Sequence, residues 1–296
     1  MSTTSTTGGT GHFVPWDGGC LLIGRTPGII PPHAHYAIQI AFGPERGIRF
    51  RSRESDEWTE YGGAIIPSRH PHSMDATRVR ASATLLVEPE TREGRALTER
   101  YLHGGVAALP DDILDQVRSA LFDAWAEQRS RQAVADAAQR VVRTLAGGLG
   151  PVIMSDERIL RAVAYIKAHL DQPMTLDEVA GEACLSPSRF RHLFVEQTGT
   201  ALRPYILWRR MLRVWELVVA GQSLSTAAHA AGFADAAHLS RTSKTMFGFP
   251  PSAIHIAAPL DEERAAERAG TSRAVAAPMS PIQPLHSIPQ RSRGLT

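Results

Sequence analysis

The sequence predicts an α+β fold in two domains, and three observations carry that prediction. From His12 to about Arg100, short apolar runs are broken repeatedly by glycine and proline, the pattern of a sandwich or small barrel. From Asp111 to Leu145 the apolar spacing lengthens to the helical period. From Ser155 onward every apolar stripe is helical, and the punctuation between stripes repeats after roughly 50 residues.

The bulk numbers bound the rest. A chain of 296 residues has room for two domains of ordinary size, and 43% hydrophobic content supplies their cores. The net charge of +2 says nothing of partners, but its distribution does. Between Pro187 and Ile256 eight Lys/Arg stand against three acids, a local net of +5, as expected of a phosphate-binding surface or a solvated helical face. Cys20 and Cys184 are the only cysteines and lie far apart, which argues against a disulfide framework and fits a reducing compartment. Neither a membrane-length apolar run nor a signal-peptide core is found, so a cytoplasmic, nucleoid-associated protein is expected. Residues 1–11 read as a disordered arm, and residues 258–296, rich in Pro, Ala and Arg, as a disordered tail.

In residues 12–109, strands are expected at Leu21–Gly24, Tyr36–Phe42, Gly47–Arg51, Gly63–Ile66 and Ala83–Val87, with turns at Pro27-Gly28, Pro31-Pro32, Gly43-Pro44 and Gly62-Gly63. His33-Ala34-His35 opens a strand in this reading. Alternation then sets His33, His35 and Gln39 on one face, and a second cluster, from Pro67 to His72, follows another strand. This spacing resembles the cupin barrel, with its His-x-His motif followed by a Glu and a second motif ending in His. His33, His35 and His72 stand at the three histidine positions, Gln39 where the family has Glu, and Arg69 where it has Gly. Three neutral imidazoles suit a divalent metal such as zinc, nickel or copper. The same side chains suit a small-molecule pocket without metal, or hydrogen bonding within the barrel.

Residues 110–146 predict a helical hairpin. Ile113, Leu114, Val117, Leu121 and Trp125 make one stripe, Val134, Ala138, Val141, Val142 and Leu145 another, and the break falls near Arg129-Ser130. Such a hairpin carries a dimer interface or covers a face of the barrel. Residues 147–154, with three glycines and a proline between Gly147 and Pro151, read as the linker.

Residues 155–257 are punctuated by caps. Ser155 starts a helix. Thr175 and Glu178 form a capping box, Ser186 with Pro187 opens a longer helix, and Gly199 closes it. A connecting helix ends at Gly221. Ser223 and Asp235 then open a second short-helix, long-helix pair that closes at Gly248. These are two helix-turn-helix units on one connecting helix, whose outer face holds Arg203, Arg209, Arg210 and Arg213. Leu185-Ser186, Phe190, Phe194, Gly199, Arg210-Met211, Ala228, Gly232-Phe233, Asp235, Ser240-Arg241, Lys244, Phe247-Gly248 and Pro251 together resemble the DNA-binding domain of the AraC/XylS family of transcriptional regulators. That family pairs this domain with a cupin-like sensor.

The resemblance implies double-stranded DNA as partner, a small-molecule effector, RNA polymerase and a second copy of the chain as further partners, and activation as the mode. Outward phase and resemblance offer Ser188, Arg191 and His192 from the first reading helix, and Ala237, His238 and Arg241 beside Ala236 from the second, to bases. Arg189, Arg203, Arg210 and Lys244 are phosphate candidates, Arg210 having an internal ion pair as its alternative. Leu239 and Ser243 stand where the family has Phe, and the serine should loosen the second unit by a few kcal/mol unless its space is filled. Among enzymes, no Ser/His/Asp order, phosphate loop or paired-carboxylate pattern is present. The alternatives are a metal-binding cupin, sensor or enzyme, fused to a DNA-binding domain, and a regulator that needs no ligand, its barrel being purely architectural.

Overall fold

The structure, a computed structural model, describes residues 9–25, 28–127, 130–147 and 156–256. The predicted tail, most of the predicted linker and residues 1–8 of the predicted arm lie outside them.

The N-terminal domain is built on two sheets. The larger has seven strands in the order β10 (Ala107–Ala108), β7 (Gly63–Ile66), β4 (Ile38–Phe42), β9 (Ser82–Val87), β2 (Gly19–Arg25), β1 (Gly9–Trp16), β11 (Ile254–Ile256). The smaller runs β3 (Ile29–His33), β8 (His72–Asp75), β5 (Ile48–Arg51), β6 (Thr59–Tyr61). Pairing is antiparallel except at the edge, where β11 joins β1 in parallel with Gly11 opposite Ile256. Residues 9–11, expected in a disordered arm, belong to β1; all three pair with β11, and Thr10 and Gly11 also pair with β2.

Alternation along the large sheet decides which domain packs where. Ile38, Ile40 and Phe42 of β4, Leu85 and Val87 of β9, and Leu21 and Ile23 of β2 face one way. They meet α2 (Asp111–Ala126) and α3 (Arg131–Leu145) through Leu114, Leu121, Val134, Val141 and Leu145. Both helices therefore turn their apolar stripes onto the barrel, and their outer faces are polar. Ser130 caps α3 by accepting from the Ala133 amide. The opposite face is shared. At the β4–β7 end, Ala41, Ala64 and Ile66 pack on Ile48, Phe50 and Met74 of the small sheet. At the β1–β2–β9 end, Phe13, Cys20 and Leu86 pack on the C-terminal domain.

Within the predicted barrel region lies a helix for which no stripe was expected, α1 (Arg92–Tyr101), capped by the Thr91 hydroxyl accepting from Gly94 N. Its mostly polar residues give little apolar periodicity, and only Gly94 and Leu97 are buried.

The C-terminal domain comprises α4 (Glu157–Ala168), α5 (Leu176–Glu182), α6 (Pro187–Thr198), α7 (Leu202–Val219), α8 (Leu224–Ala230) and α9 (Ala236–Phe247). Asp156 caps α4; the expected cap, Ser155, lies outside the described residues. Helix α7 runs through the centre. Tyr205, Trp208, Met211 and Val214 are fully buried, because the helix is packed by both helix-turn-helix units and by the barrel.

Candidate nucleic-acid interface and barrel site

Each long helix of the helix-turn-helix units is fixed by local chemistry before packing. For α6, the Ser186 hydroxyl accepts from the Arg189 amide, Pro187 fills the first turn without wasting a donor, and Gly199 ends the helix at φ 73°. Phe190 and Phe194 point inward, their rings 5.2 Å apart. Ser188, Arg189, Arg191, His192 and Glu196 are left exposed, as the helical phase requires.

For α9, the Asp235 carboxylate accepts from the His238 amide at 2.5 Å, and Gly248 ends the helix at φ 79°. Ala236, Ala237, Arg241 and Lys244 are exposed. His238 is half-buried, its ring edge-on to Phe233 at 5.2 Å. The turn before it needs Gly232: at φ 79°, a Cβ there would lie 2.2 Å from the Leu170 carbonyl oxygen. Ser243 is fully buried, and its hydroxyl donates to the Phe249 carbonyl at 2.8 Å, tying the helix to the chain beyond Gly248.

Arg191 of α6, Arg203 of α7 and His238 of α9 line one open hollow of about 560 Å³, so cationic and polar groups from both units share a face. Two arginines differ from the sequence reading. Arg210 donates through Nε to the Leu170 carbonyl at 2.9 Å and through Nη2 to the Gln172 carbonyl at 2.7 Å. It stitches the end of α4 to α7, through carbonyls instead of an ion pair, which leaves it poorly placed for a phosphate. Arg209, expected on the outer face of α7, turns inward and pairs with Glu88 at the end of β9.

That pair belongs to a polar seam between the domains which the sequence reading missed. Trp208 Nε1 also donates to Glu88, at 3.3 Å, and the Glu88 side chain is 3% exposed. The Tyr36 hydroxyl lies 2.6 Å from Glu90 Oε2 and 2.9 Å from the Thr198 carbonyl oxygen. Burial, reinforced by the nearby Glu88 charge, pushes the Glu90 carboxyl up to about 7. Lys167 pairs with Asp17 at 2.8 Å, and the Ala34 amide donates to the Thr245 carbonyl at 3.2 Å. A signal was present in Val87-Glu-Pro-Glu: two carboxylates at the end of a largely buried strand need partners from elsewhere.

The predicted barrel histidines do come together. Ligand atoms of His33, His35 and His72 all lie within 4.8 Å of one another, and all three residues are buried. The local reading needs one correction: His33 ends β3 and His35 lies in the connection to β4, so they do not share a single strand. Nδ1 of His33 faces the Pro31 carbonyl at 2.9 Å, that of His35 the Ala37 carbonyl at 2.8 Å, and that of His72 the His70 carbonyl at 2.9 Å. A carbonyl only accepts, so each Nδ1 carries the proton and each Nε2 a lone pair. Burial keeps the rings neutral, lowering His33 to about 4 and His72 to about 2, and lowering His35 as well. Gln39 Oε1 sits 2.8 Å from His35 Nε2 and 3.2 Å from His72 Nε2, acceptor against acceptor. Turning the amide over relieves this, and so does a cation shared by the three atoms. Neutral imidazoles held from behind by carbonyls are the donor set of a divalent-metal site, so the residues fit the metal that the barrel family implies.

Residues 179–255 match a family model described as a helix-turn-helix domain. The arabinose operon regulatory protein of Escherichia coli K12 is 34% identical over 102 residues, 33% of this chain and 34% of that protein. The transcriptional regulator ArgR of Pseudomonas aeruginosa PAO1 is 24% identical over 200 residues, 67% of this chain and 54% of its own. The chain thus spans about a third of the arabinose regulators it matches. The fold is similar to that of apo ToxT from Vibrio cholerae, with TM-score 0.53 and 12% identity over 79% of this chain and 96% of that one.

Proposed function

With a C-terminal domain that belongs to the AraC family of helix-turn-helix regulators, we propose that this chain is a sequence-specific DNA-binding transcriptional regulator, an activator whose N-terminal barrel senses an effector. The observation that carries the reading is the pair of capped long helices with exposed polar faces, both braced on α7. In this reading α6 and α9 enter successive major grooves on one face of the duplex. Ser188, Arg191 and His192 read bases, while Arg189, Arg203 and Lys244 hold phosphates. The second helix offers Ala236 and Ala237, which suit thymine methyls, and His238 is partly engaged by Phe233. The first unit is therefore the reader and the second chiefly an anchor, with Arg241 its remaining base contact. RNA polymerase and a second copy of the chain are the protein partners. The copies meet through the polar outer face of α2 and α3, since the apolar stripes already serve the barrel.

A second reading concerns the effector. The convergence of three neutral imidazoles favours a divalent cation at His33, His35 and His72, with Gln39 beside them. Gln39 replaces a carboxylate, which leaves the cation's charge undiminished and suits sensing better than metal-dependent catalysis.

The test is selection of bound sequences from random duplex DNA by the full chain, followed by footprinting. The expected result is an asymmetric consensus with two protected grooves per protomer. A single protected groove, or no consensus, would sink the reading.

A further inference from the structure

The histidine cluster and the end of the second helix-turn-helix unit meet at one segment, His33–His35. His33 and His35 point into the cluster, while the amide of Ala34 between them donates to the Thr245 carbonyl in the last turn of α9, at 3.2 Å. The His33 ring lies against the glycine that ends α9: a Cβ at Gly248 would meet His33 Nδ1 at 3.3 Å, Pro31 O at 2.9 Å and Ile30 Cγ2 at 2.8 Å. The His35 ring stands 6.4 Å from both Trp208 of α7 and Phe247 of α9. Within the cluster, His33 and His72 are 4.2 Å apart between ring centroids. No side chain of the cluster can be repositioned without moving a group that touches the end of α9, and close packing transmits such shifts.

We propose that divalent-cation binding at His33, His35 and His72 locks the end of α9 onto the barrel, so that the cation controls how the second helix-turn-helix unit is presented. The proposal rests on the barrel being a metal site, as read above. A cation drawn in by the Nε2 lone pairs takes the place of the Gln39 contacts to His35 and His72 and fixes the His33–His35 segment. That segment is also the seat of Thr245 and Gly248. Arg241 and Lys244 sit on α9 within one turn of that seat, so their orientation toward DNA is set by the same contact.

The experiment uses the full chain stripped with a chelator, then given Zn²⁺ alone, with Ni²⁺ as a second probe. Bound metal is counted after dialysis, and amide hydrogen exchange is followed along α9 and, as an internal reference, along α5. One cation per chain is expected. Exchange at Thr245–Phe249 should slow by about a hundredfold at a cation concentration 100 times its dissociation constant, if opening there releases the cation. Exchange in α5 should be unchanged, and His72→Ala, whose ring packs on His33, His35 and Phe50, should lose both the cation and the protection. Stoichiometric Zn²⁺ with unaltered exchange at Thr245–Phe249 overturns the coupling. No bound cation overturns the metal reading beneath it and leaves the DNA-binding reading standing.

Discussion

Replacing Arg209 by alanine tests the seam between the domains. Glu88 is all but sealed from water; its side chain pairs with Arg209 and accepts from the Trp208 indole. Removing the guanidinium strands a buried carboxylate, which costs about 3–5 kcal/mol, with the surviving indole bond holding the value near the lower end. Glu88→Leu combined with Arg209→Met removes both charges together, and the pair should return close to the parent stability, since an apolar substitute for a buried pair is often neutral or better. The assay is urea unfolding of the parent, both singles and the double, read by tryptophan fluorescence and by far-UV circular dichroism. The singles should also separate the two probes, because Trp208 lies at the junction and loses its environment when the domains part. An Arg209→Ala cost below about 1 kcal/mol, the range of exposed pairs, would refute the reasoning.

Other outcomes follow from the same contacts. Arg191→Ala should relax preference at one base position by about 1–3 kcal/mol, measured by competition among single-base operator variants; uniform weakening would argue for a phosphate contact instead. Lys244→Ala should weaken all duplexes alike and reduce the slope of log affinity against log salt by about one. Glu90 is held above its ordinary value of 4.5, at about 7, so its contribution to stability is full below pH 4.5 and is lost as the pH rises through 7. Glu90→Gln should therefore flatten the stability profile between those values, and an unchanged profile would count against the assignment. Ser243→Phe, which restores the family's aromatic, should destabilise the second unit by about 1–3 kcal/mol in thermal melts, because the site is already closed and the hydroxyl already bonded.

What the sequence revealed, and what it hid, divides along the range of the interactions. Thr175, Ser186, Ser223 and Asp235 mark helix starts through bonds to amides three residues away, so the helices of the C-terminal domain were legible from single residues. The meeting of His33, His35 and His72 was legible by spacing, although the strand expected to carry the first two was not there. Helix α1 was hidden because its stripe is nearly all polar. Arg209 was misplaced because α7 is surrounded: helical phase says which residues lie together but not which of three neighbours each side meets. The serine at 243 looked like a loss of bulk, yet the fold closes over it and gives the hydroxyl a carbonyl.

The parallel pairing of β11 with β1 sets the freedom left to the DNA-binding domain. Its last residues are stitched into the edge of the barrel's own sheet. The end of the domain is thus pinned to the sheet, and any movement that would carry its last residues away from the barrel must first unzip three residues of backbone ladder.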